Sequence, residues 1–322
     1  MNAFGNHFRV QVFGESHGGG IGVVVDGVRA GIPLCAGDFE EDLSRRRSGA
    51  RGTTPRREPD TPEILSGVYQ GHTTGAPVAV LFRNTNTRPE DYTLLQEVPR
   101  PGHADRVAAL KWEGFNDPRG GGPFSGRVTL ALVTAGVIAK KQCGCSFRAS
   151  LVEVGGSADP AAWDGLLSRA AQEGDSLGGV VECRVEGVPA GLGAPFFDSV
   201  ESLVSHAVFA IPGVRGIEFG DGFAAAGMRG SAHNDPIGAD GLPEKNGAGG
   251  VNGGITNGAP IVFRVAFKPT SSIARVQHTL NVRTGEMTDL RVGGRHDVCF
   301  ALRTPVIVEA AAAIVLADLA GR

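Results

Sequence analysis

The chain has 322 residues, enough for one large domain or two ordinary ones, and its 41% apolar and 20% charged residues are typical of a globular protein. Its net charge of −3 argues against a general nucleic-acid binder, because binding to a phosphate backbone depends on a surplus of Lys and Arg. We expect a reduced, cytoplasmic protein without a membrane partner or a metal. This expectation rests on three features of the sequence. We see no charged and apolar leader pattern and no uninterrupted apolar run of membrane-spanning length, and the five scattered cysteines lack metal-ligand spacing.

The order of apolar segments predicts the fold class. Segments bounded by Gly or Pro predict strands over 8–13, 21–28, 78–83 and 261–267. Helical spacing predicts helices over 126–142, 160–173, 200–211 and 305–319, and Asp198 with Glu201 is spaced as a capping box for the third. The first and last of these helices are apolar nearly all round, as buried helices are. We therefore predict an α+β fold in which sheets cover apolar helices.

Ser16 and His17 lie in Gly-Glu-Ser-His-Gly at residues 14–18, directly after the first predicted strand. The glycines let a ligand approach the backbone, and strand ends are where open sites usually lie. The motif alone is weak evidence, because a lone His after a strand is more often a satisfied structural residue. A second copy of the motif without the histidine strengthens the functional interpretation.

That second copy is part of an internal repeat. Residues 14–31 match 174–191 at a constant offset of 160, with 9 of 18 positions identical. A weaker match pairs 73–80 with 256–263, and coincidence explains it about as well as common ancestry. The repeat predicts a single domain over 1–322 built from two pseudo-repeats, about 5–150 and 151–322. His17 is replaced by Leu177 in the second copy, which favours a chemical role for the imidazole in one half only.

Two stretches carry groups suited to binding anions. Six arginines and no lysine fall within 45–57, and Arg is preferred where a phosphate or carboxylate is gripped by two N–H groups. The glycine turn 119–122 precedes Ser125 and Arg127 at the start of a predicted helix, where backbone N–H groups form a ready anion site. A solvated basic loop is the alternative for the arginine block.

Three more loops bring polar groups together. Residues 268–272, Lys-Pro-Thr-Ser-Ser, supply one cation and three hydroxyls after a strand. His103 lies in the loop 100–105, and Arg295 with Asp297 alternates along an extended segment, so both side chains can face one cavity. Each loop alone could be an ordinary polar loop, but their joint presence indicates a site for a phosphorylated ligand.

These motifs together resemble the chorismate synthase family, and the resemblance runs from about residue 5 to 320. The motifs that carry it are GESHG at 14–18, RRR at 45–47 with Arg51, RREPD at 56–60, ILSGV at 64–68, RPGHAD at 100–105, RGGG at 119–122, GVPAGLG at 187–193, GDGF at 220–223, MRGS and HND within 228–235, KPTSS at 268–272 and GRHD at 294–297. The loop that opens the long helix departs from the family pattern, since it begins Pro123-Phe124 where the family usually has Arg-Ser.

The resemblance implies an activity and an assembly. The family eliminates the 3-phosphate and a ring hydrogen from 5-enolpyruvylshikimate 3-phosphate to give chorismate, the last common step of aromatic amino-acid biosynthesis. It requires reduced FMN although no net oxidation occurs. Its members are homotetramers of a duplicated β-α-β sandwich, and we expect an external flavin reductase rather than reduction of FMN by this chain with NADPH.

The resemblance also implies roles for individual residues. It assigns catalysis to His17, His103 and Asp297, and substrate binding to Ser16, Arg46, Arg51 and Arg127, with Arg295 as a further candidate. It assigns FMN contacts to Phe124, Ser125, Pro212, Gly213, Gly253, Lys268, Pro269, Thr270, Ser271, Ser272 and Arg295. The alternative is a non-catalytic phosphate-ligand or RNA-binding protein that uses the same arginines and glycine loops, although such a binder has no need for an imidazole in one repeat only.

Overall fold

The computed structural model describes residues 2–56, 58–87, 89–294 and 296–321. The elements of the first half are β1 (Ala3–Phe4), β2 (Arg9–Gly14), β3 (Gly20–Asp26), α1 (Glu40–Arg46), β4 (Glu63–Ser66), β5 (Val68–Tyr69), β6 (His72–Thr73), β7 (Val78–Arg83), α2 (Asp105–Lys111) and α3 (Thr129–Cys143). Those of the second half are β8 (Ser146–Val154), α4 (Pro160–Gln172), β9 (Gly179–Glu186), α5 (Val200–Phe209), β10 (Val214–Phe219), α6 (Gly230–His233), β11 (Val251–Asn252), β12 (Ile255–Thr256), β13 (Ile261–Phe267), β14 (Val276–Leu280), β15 (Met287–Arg291) and α7 (Pro305–Leu319).

Two antiparallel sheets form the outer layers. The strand order is β1-β2-β3-β7-β4 in the first sheet and β8-β9-β13-β10 in the second. Strand β13 alternates buried and half-buried residues along its whole length, as expected of a strand with one face on a core. Strands β7 and β13 have the predicted bounds, because Pro or Gly precedes each alternating apolar run.

Helices α3 and α7 lie between the two sheets. Helix α3 packs against β2 and β3, helix α7 packs against β8 and β9, and the two helices pack against each other. Gly136 allows this close approach, because a Cβ atom built there would lie 2.3 Å from the Cβ atom of Ala310. The prediction of an α+β fold with apolar helices between antiparallel sheets is confirmed. Within the described ranges, no helix is long and apolar enough to cross a bilayer.

The two halves repeat each other in detail. Four strands of each sheet pair in the same order, β2-β3-β7-β4 in the first sheet and β8-β9-β13-β10 in the second. Helices α1 and α5 begin 160 residues apart, at Glu40 and Val200. Thr73 Oγ1 accepts from the N–H of Ile32, and Thr256 Oγ1 accepts from the N–H of Leu192, which lies 160 residues after Ile32. The weaker sequence match therefore has a structural counterpart. We propose on this basis that the two pseudo-repeats, about 5–150 and 151–322, form one domain.

The predicted capping box at Asp198 and Glu201 is wrong by one residue. Ser199 is the N-cap of α5, with extended backbone angles, and its Oγ accepts from the N–H of Ser202 at 3.1 Å. Asp and Ser are about equally good N-caps, so two adjacent candidates cannot be separated by composition. The helix also ends two residues earlier than predicted, at Phe209.

Candidate active site

A cavity of about 530 Å³ lies where loops of both halves meet. Loops after β2 and β13, the C-terminal end of α1, the segments 54–56 and 58–60 and the turns that precede α3 and α7 form its walls. A cavity of this size falls in the range that small-molecule ligands occupy. Strand ends and helix ends converge here, so polar groups far apart in sequence face one space.

Ser16 and His17 lie at the edge of this cavity, behind the glycine turn that precedes α3. Ser16 lines the cavity and is fully buried, and its Oγ lies 3.2 Å from His17 Nδ1. A Cβ atom on Gly120 would fall 1.9 Å from His17 Nδ1, so only glycine fits against the imidazole. Burial, followed by the positive charges of Arg56 and Arg119, lowers the pKa of His17. The imidazole is therefore mostly neutral at pH 7.

His103 also lines the cavity and is held by a carboxylate. Its Nδ1 lies 2.6 Å from Asp105 Oδ1, and Arg100 Nη2 donates to the same oxygen at 2.7 Å. Burial alone would raise the pKa of Asp105, but hydrogen bonds from Arg100 and His103 outweigh it and hold that pKa well below its usual range. Because the carboxylate is ionised and accepts, Nδ1 carries the ring proton.

Arg46 and Arg127 share one carboxylate. Arg46 Nη2 donates to Asp60 Oδ2 at 2.7 Å, and Arg127 Nη1 donates to Asp60 Oδ1 at 2.7 Å. All three side chains are buried. Burial lowers the pKa of Arg46 to about 10 although Asp60 opposes the shift, so the Arg46 guanidinium remains charged at pH 7. Arg46 Nε and Arg127 Nη2 have no hydrogen-bond partner among the described residues.

A second arginine and carboxylate pair lies beside them. Arg56 Nη1 donates to Ser16 Oγ at 3.1 Å, and Arg56 Nη2 donates to Glu58 Oε1 at 2.7 Å. Burial alone would raise the pKa of Glu58, but hydrogen bonds from Arg56 and Thr85 outweigh it and lower that pKa to about 2. Glu58 is thus ionised at all physiological pH values and fixes Arg56 against Ser16.

Asp297 lies on the wall that precedes α7. Its Oδ1 accepts from the N–H of Thr54 at 2.9 Å, and its Oδ2 accepts from Arg303 Nη2 at 2.8 Å. The guanidinium of Arg303 stacks 4.9 Å from the ring centroid of Phe300. Asp297, Phe300 and Arg303 all line the cavity. This wall therefore presents a carboxylate held by two hydrogen bonds and, beside it, a guanidinium stacked on a phenyl ring.

The loop after β13 forms another wall. Lys268 Nζ donates to Gly102 O and to Ser271 Oγ, each at 2.6 Å, which ties this loop to the loop that carries His103. Burial, followed by the charges of Arg215 and Arg100, lowers the pKa of Lys268. Ser272 Oγ accepts from Arg100 Nη1 at 2.8 Å, and Thr270 Oγ1 is buried without a hydrogen-bond partner among the described residues.

The structure brings together most of the site residues that the sequence predicts. The cavity is lined by Ser16, Arg46, His103, Phe124, Ser125, Arg127, Pro212, Gly213, Lys268, Pro269, Thr270, Ser271, Ser272 and Asp297. His17 lies directly behind Ser16. It is one of three predicted site residues within the described ranges that do not line the cavity of this subunit: of the other two, Arg51 faces Asp164 and Ser168 on the surface, and Gly253 lies in the turn between β11 and β12. Arg295 lies outside the described residues.

Sequence reasoning missed several residues of the site. Arg56, Glu58 and Asp60 all line the cavity, and their alternate positions in the sequence were the available signal that they could face one space. Tyr92 packs edge-on against His17 with ring centroids 5.2 Å apart. Arg303 belongs to no polar motif, so composition offered no sign that it would reach Asp297.

Comparison with known proteins gives the family. The family model described as chorismate synthase matches residues 8–320, nearly the whole chain. The chain belongs to the chorismate synthase family. A chorismate synthase of Chitinophaga pinensis is 61% identical over 99% of this chain and 96% of that protein. A chorismate synthase of Korarchaeum cryptofilum is 44% identical over 98% of this chain and 96% of that protein.

A crystal structure of a chorismate synthase, 27% identical in sequence, superposes with a TM-score of 0.74 over 98% of this chain and 92% of that chain. The predicted family is thus confirmed by sequence and by fold. Membership makes the chain an enzyme of the lyase class that acts on a small molecule. The cavity that contains Ser16, His103 and Asp297 is the natural location for its chemistry.

Proposed function

We propose that this chain catalyses the elimination of phosphate and a ring hydrogen from 5-enolpyruvylshikimate 3-phosphate, which yields chorismate. One observation carries the proposal: a single cavity joins a cluster of buried arginines to His103 and an anchored carboxylate, and His17 lies directly behind the Ser16 that lines it. The substrate has a phosphate and two carboxylates, and charge-assisted contacts with guanidinium groups suit all three. Arg46 and Arg127 are the arginines we assign to substrate binding, together with Ser16.

We assign Arg51 to substrate binding from family resemblance alone, because its side chain is 63% exposed and faces Asp164 in this subunit. Arg295, which lies outside the described residues, is assigned as a substrate or flavin ligand from family resemblance alone. Gly253 can contact a flavin only through a neighbouring subunit of the proposed assembly, since it lies outside the cavity of its own subunit.

We further propose reduced FMN as the cofactor, since the residues of the cavity fit it. Thr270 Oγ1 is a buried hydroxyl with no hydrogen-bond partner in the described part of the chain, and it lies in the predicted flavin loop. Phe124, Pro212 and Gly213 supply an apolar wall, and Ser125 with residues 268–272 supplies polar groups around it. When reduced FMN is bound, it supplies electron density that assists departure of the phosphate.

The residues of the chain then have separate tasks. The guanidiniums of Arg46 and Arg127 hold the anionic groups of the substrate. His103, with its proton on Nδ1, exchanges a proton at Nε2, and neutral His17 does so beside Ser16. Asp297, held by Thr54 and Arg303, completes the acid-base set on the far wall.

The proposed assembly is a homotetramer in the cytoplasm that receives reduced FMN from an external flavin reductase. All five cysteines are free, which agrees with a reducing compartment. Light scattering coupled to size exclusion tests the tetramer. A stopped-flow trial with NADPH and oxidised FMN tests the reductase, and we expect no reduction.

An anaerobic assay tests the reaction itself. The purified protein is mixed with reduced FMN and the enolpyruvyl substrate, and chorismate and free phosphate are measured. We expect both products in equal amounts. No product together with retained substrate binding would leave the alternative of a phosphate-ligand binder, and RNA binding at a negative net charge is tested in parallel by filter retention.

A further inference from the structure

Asp60 occupies an unusual position in the site. It is 2% exposed and has a backbone φ of +49°, a left-handed conformation that residues other than glycine seldom adopt. It lies close in sequence to Arg56 and Glu58, and all three residues line the cavity. A strained backbone at a buried acid indicates that the surrounding contacts hold this carboxylate in place.

The carboxylate of Asp60 joins two arginines that come from different elements. Arg46 ends α1 and Arg127 lies in the turn before α3, and each donates to a separate oxygen of Asp60 at 2.7 Å. Two guanidiniums that bind the same carboxylate lie close enough to repel each other, and the repulsion is strong where water is excluded. The shared carboxylate offsets that repulsion and sets the distance between them.

The two ion pairs with Asp60 leave two buried N–H donors without a partner among the described residues and one positive charge uncompensated. Arg46 Nε and Arg127 Nη2 are buried without a partner among the described residues, although unpaired buried donors are rare in native proteins. Two positive charges against one carboxylate also leave an excess of one positive charge. Neighbouring groups do not remove this excess, because Glu58 lies 3.9 Å from Arg127 Nε but pairs with Arg56, and Arg47 lies 3.9 Å from Asp60.

We propose that Asp60 is a positioning residue that holds Arg46 and Arg127 as a fixed pair of donors for one oxyanion of the ligand, a phosphate or a carboxylate. The inference rests on the proposed function only for the identity of that ligand. Binding of a simple oxyanion by the pair is a property of the protein alone and can be measured without turnover. No part of the family assignment gives this residue a role.

The test compares Asp60→Asn and Asp60→Glu with the wild-type chain and with Asp42→Asn. Asp42 is a matched control, because it also pairs with a lysine and an arginine, at 2.8 Å from Lys140 and 3.3 Å from Arg45, but does not line the cavity. Calorimetry measures the affinity for inorganic phosphate and for malonate, and the assay measures KM and kcat separately. Circular dichroism and Tm report folding.

We expect Asp60→Asn to weaken the affinity for at least one of the two anions by about tenfold or more, as loss of a buried charge partner does. KM should rise by a similar factor with a smaller change in kcat, and Asp42→Asn should change neither. Loss of phosphate affinity alone identifies the phosphate as the bound group, and loss of malonate affinity alone identifies a carboxylate.

If net charge alone decided the affinity, Asp60→Asn would bind anions more tightly, because it removes a negative charge from the site. Unchanged or tighter binding by folded Asp60→Asn would overturn the proposal. Asp60→Glu keeps the charge and moves it by one methylene group, so it should also lose affinity, and an unchanged affinity there would equally overturn it. A wild-type chain that binds phosphate but makes no chorismate would refute the proposed reaction and leave the anion test intact.

Discussion

At the scale of single residues, Gly120 is where one added methyl group would disturb the site most. Its φ is +63°, and a Cβ atom would lie 1.9 Å from His17 Nδ1 and 2.6 Å from Ser16 Oγ. We predict that Gly120→Ala lowers chorismate formation by on the order of 100-fold, because a displacement of about 1 Å at a reacting group has effects of that size. The anaerobic assay measures it.

Gly187→Ala is the matched control. Gly187 has a similar φ of +77°, but an added Cβ atom would meet nothing within 4 Å. That variant carries only the strain of the left-handed backbone, about 1 to 2 kcal/mol, and should keep its turnover. Equal losses of turnover in both variants would mean that backbone strain, and not the imidazole contact, makes glycine necessary at residue 120.

His17 should make stability depend on pH. Its pKa in the folded chain is lowered by burial, so the folded state binds a proton less readily than the unfolded state, whose His pKa is about 6.5. The contribution of His17 to stability is therefore present above pH 6.5 and is lost as pH falls through its lowered pKa. We predict that urea midpoints fall between pH 7.5 and pH 5.5.

The matched variant for this effect is His17→Asn, which keeps a polar group near Ser16 without a titrating ring. Its urea midpoint should fall less over the same interval than that of the wild-type chain. His278→Asn serves as a control, because His278 is 65% exposed and pairs with Asp289 on the surface. A parallel loss in the wild-type chain and in His17→Asn would show that other groups cause the pH dependence.

The arginine block shows what residue-level reasoning could and could not predict. Composition predicted anion binding near residues 45–57, but it could not assign a direction to each side chain. Arg46 turns to the cavity, whereas Arg45, next to it on α1, binds buried Glu309 at 2.6 Å. Successive helical residues point about 100° apart. Only the packing of α1 against α3 and α7 decides which arginine reaches the site.

At the scale of elements, the crossing of α3 and α7 depends on Gly136. A Cβ atom there would lie 2.3 Å from Ala310 Cβ and 2.6 Å from Ala310 Cα, so the helices must move apart to accept it. We predict that Gly136→Ala lowers the free energy of unfolding by about 1 to 3 kcal/mol, as overpacking does. Chemical denaturation measures the change.

Two further variants separate the crossing from helix propensity. Ala310→Gly in the same chain removes the opposing methyl group and should restore part of the lost stability. Gly165→Ala in α4 meets nothing within 4 Å and should stabilise by about 0.5 to 1 kcal/mol, since Ala is the better helix former. A neutral Gly136→Ala variant would mean that the interface adapts without loss.

Element bounds were predictable where sequence signals are sharp. Strands β7 and β13 follow alternating apolar residues after Pro77 and Pro260, and both match the structure. Helix α3 begins three residues later than predicted, because residues 126–128 form a short 3₁₀ helix capped by Ser125. A 3₁₀ turn and an α-turn share the same apolar periodicity over three residues, so the sequence could not separate them.

At the scale of the whole molecule, the repeat explains why one cavity gathers residues from distant segments. The loop after β2 comes from the first half and the loop after β13 from the second, and both line the same cavity. The repeat was readable from the sequence, and with it the expectation of a shared chamber. The pairing of each carboxylate with its arginine was not readable from the sequence, because tertiary contacts and not local patterns bring these side chains together.

The cavity as a whole should respond to salt. Its walls carry Arg46, Arg127 and Arg303 in a chain whose net charge is −3, so the positive potential is local to the site. Between 50 and 300 mM KCl the screening length falls from roughly 14 Å to roughly 6 Å. We predict that the affinity for the enolpyruvyl substrate, measured by calorimetry without flavin, falls several-fold over this interval.

A surface variant and a cavity variant locate the effect. Arg184→Gln removes a charge on β9 whose side chain is 49% exposed and should leave the salt dependence unchanged. Arg127→Gln removes a buried donor and should weaken binding and flatten the salt dependence together, because one fewer charge then attracts the ligand. A wild-type affinity that stays constant from 50 to 300 mM KCl would show that hydrogen-bond geometry, and not the field of the arginines, draws the substrate into the cavity.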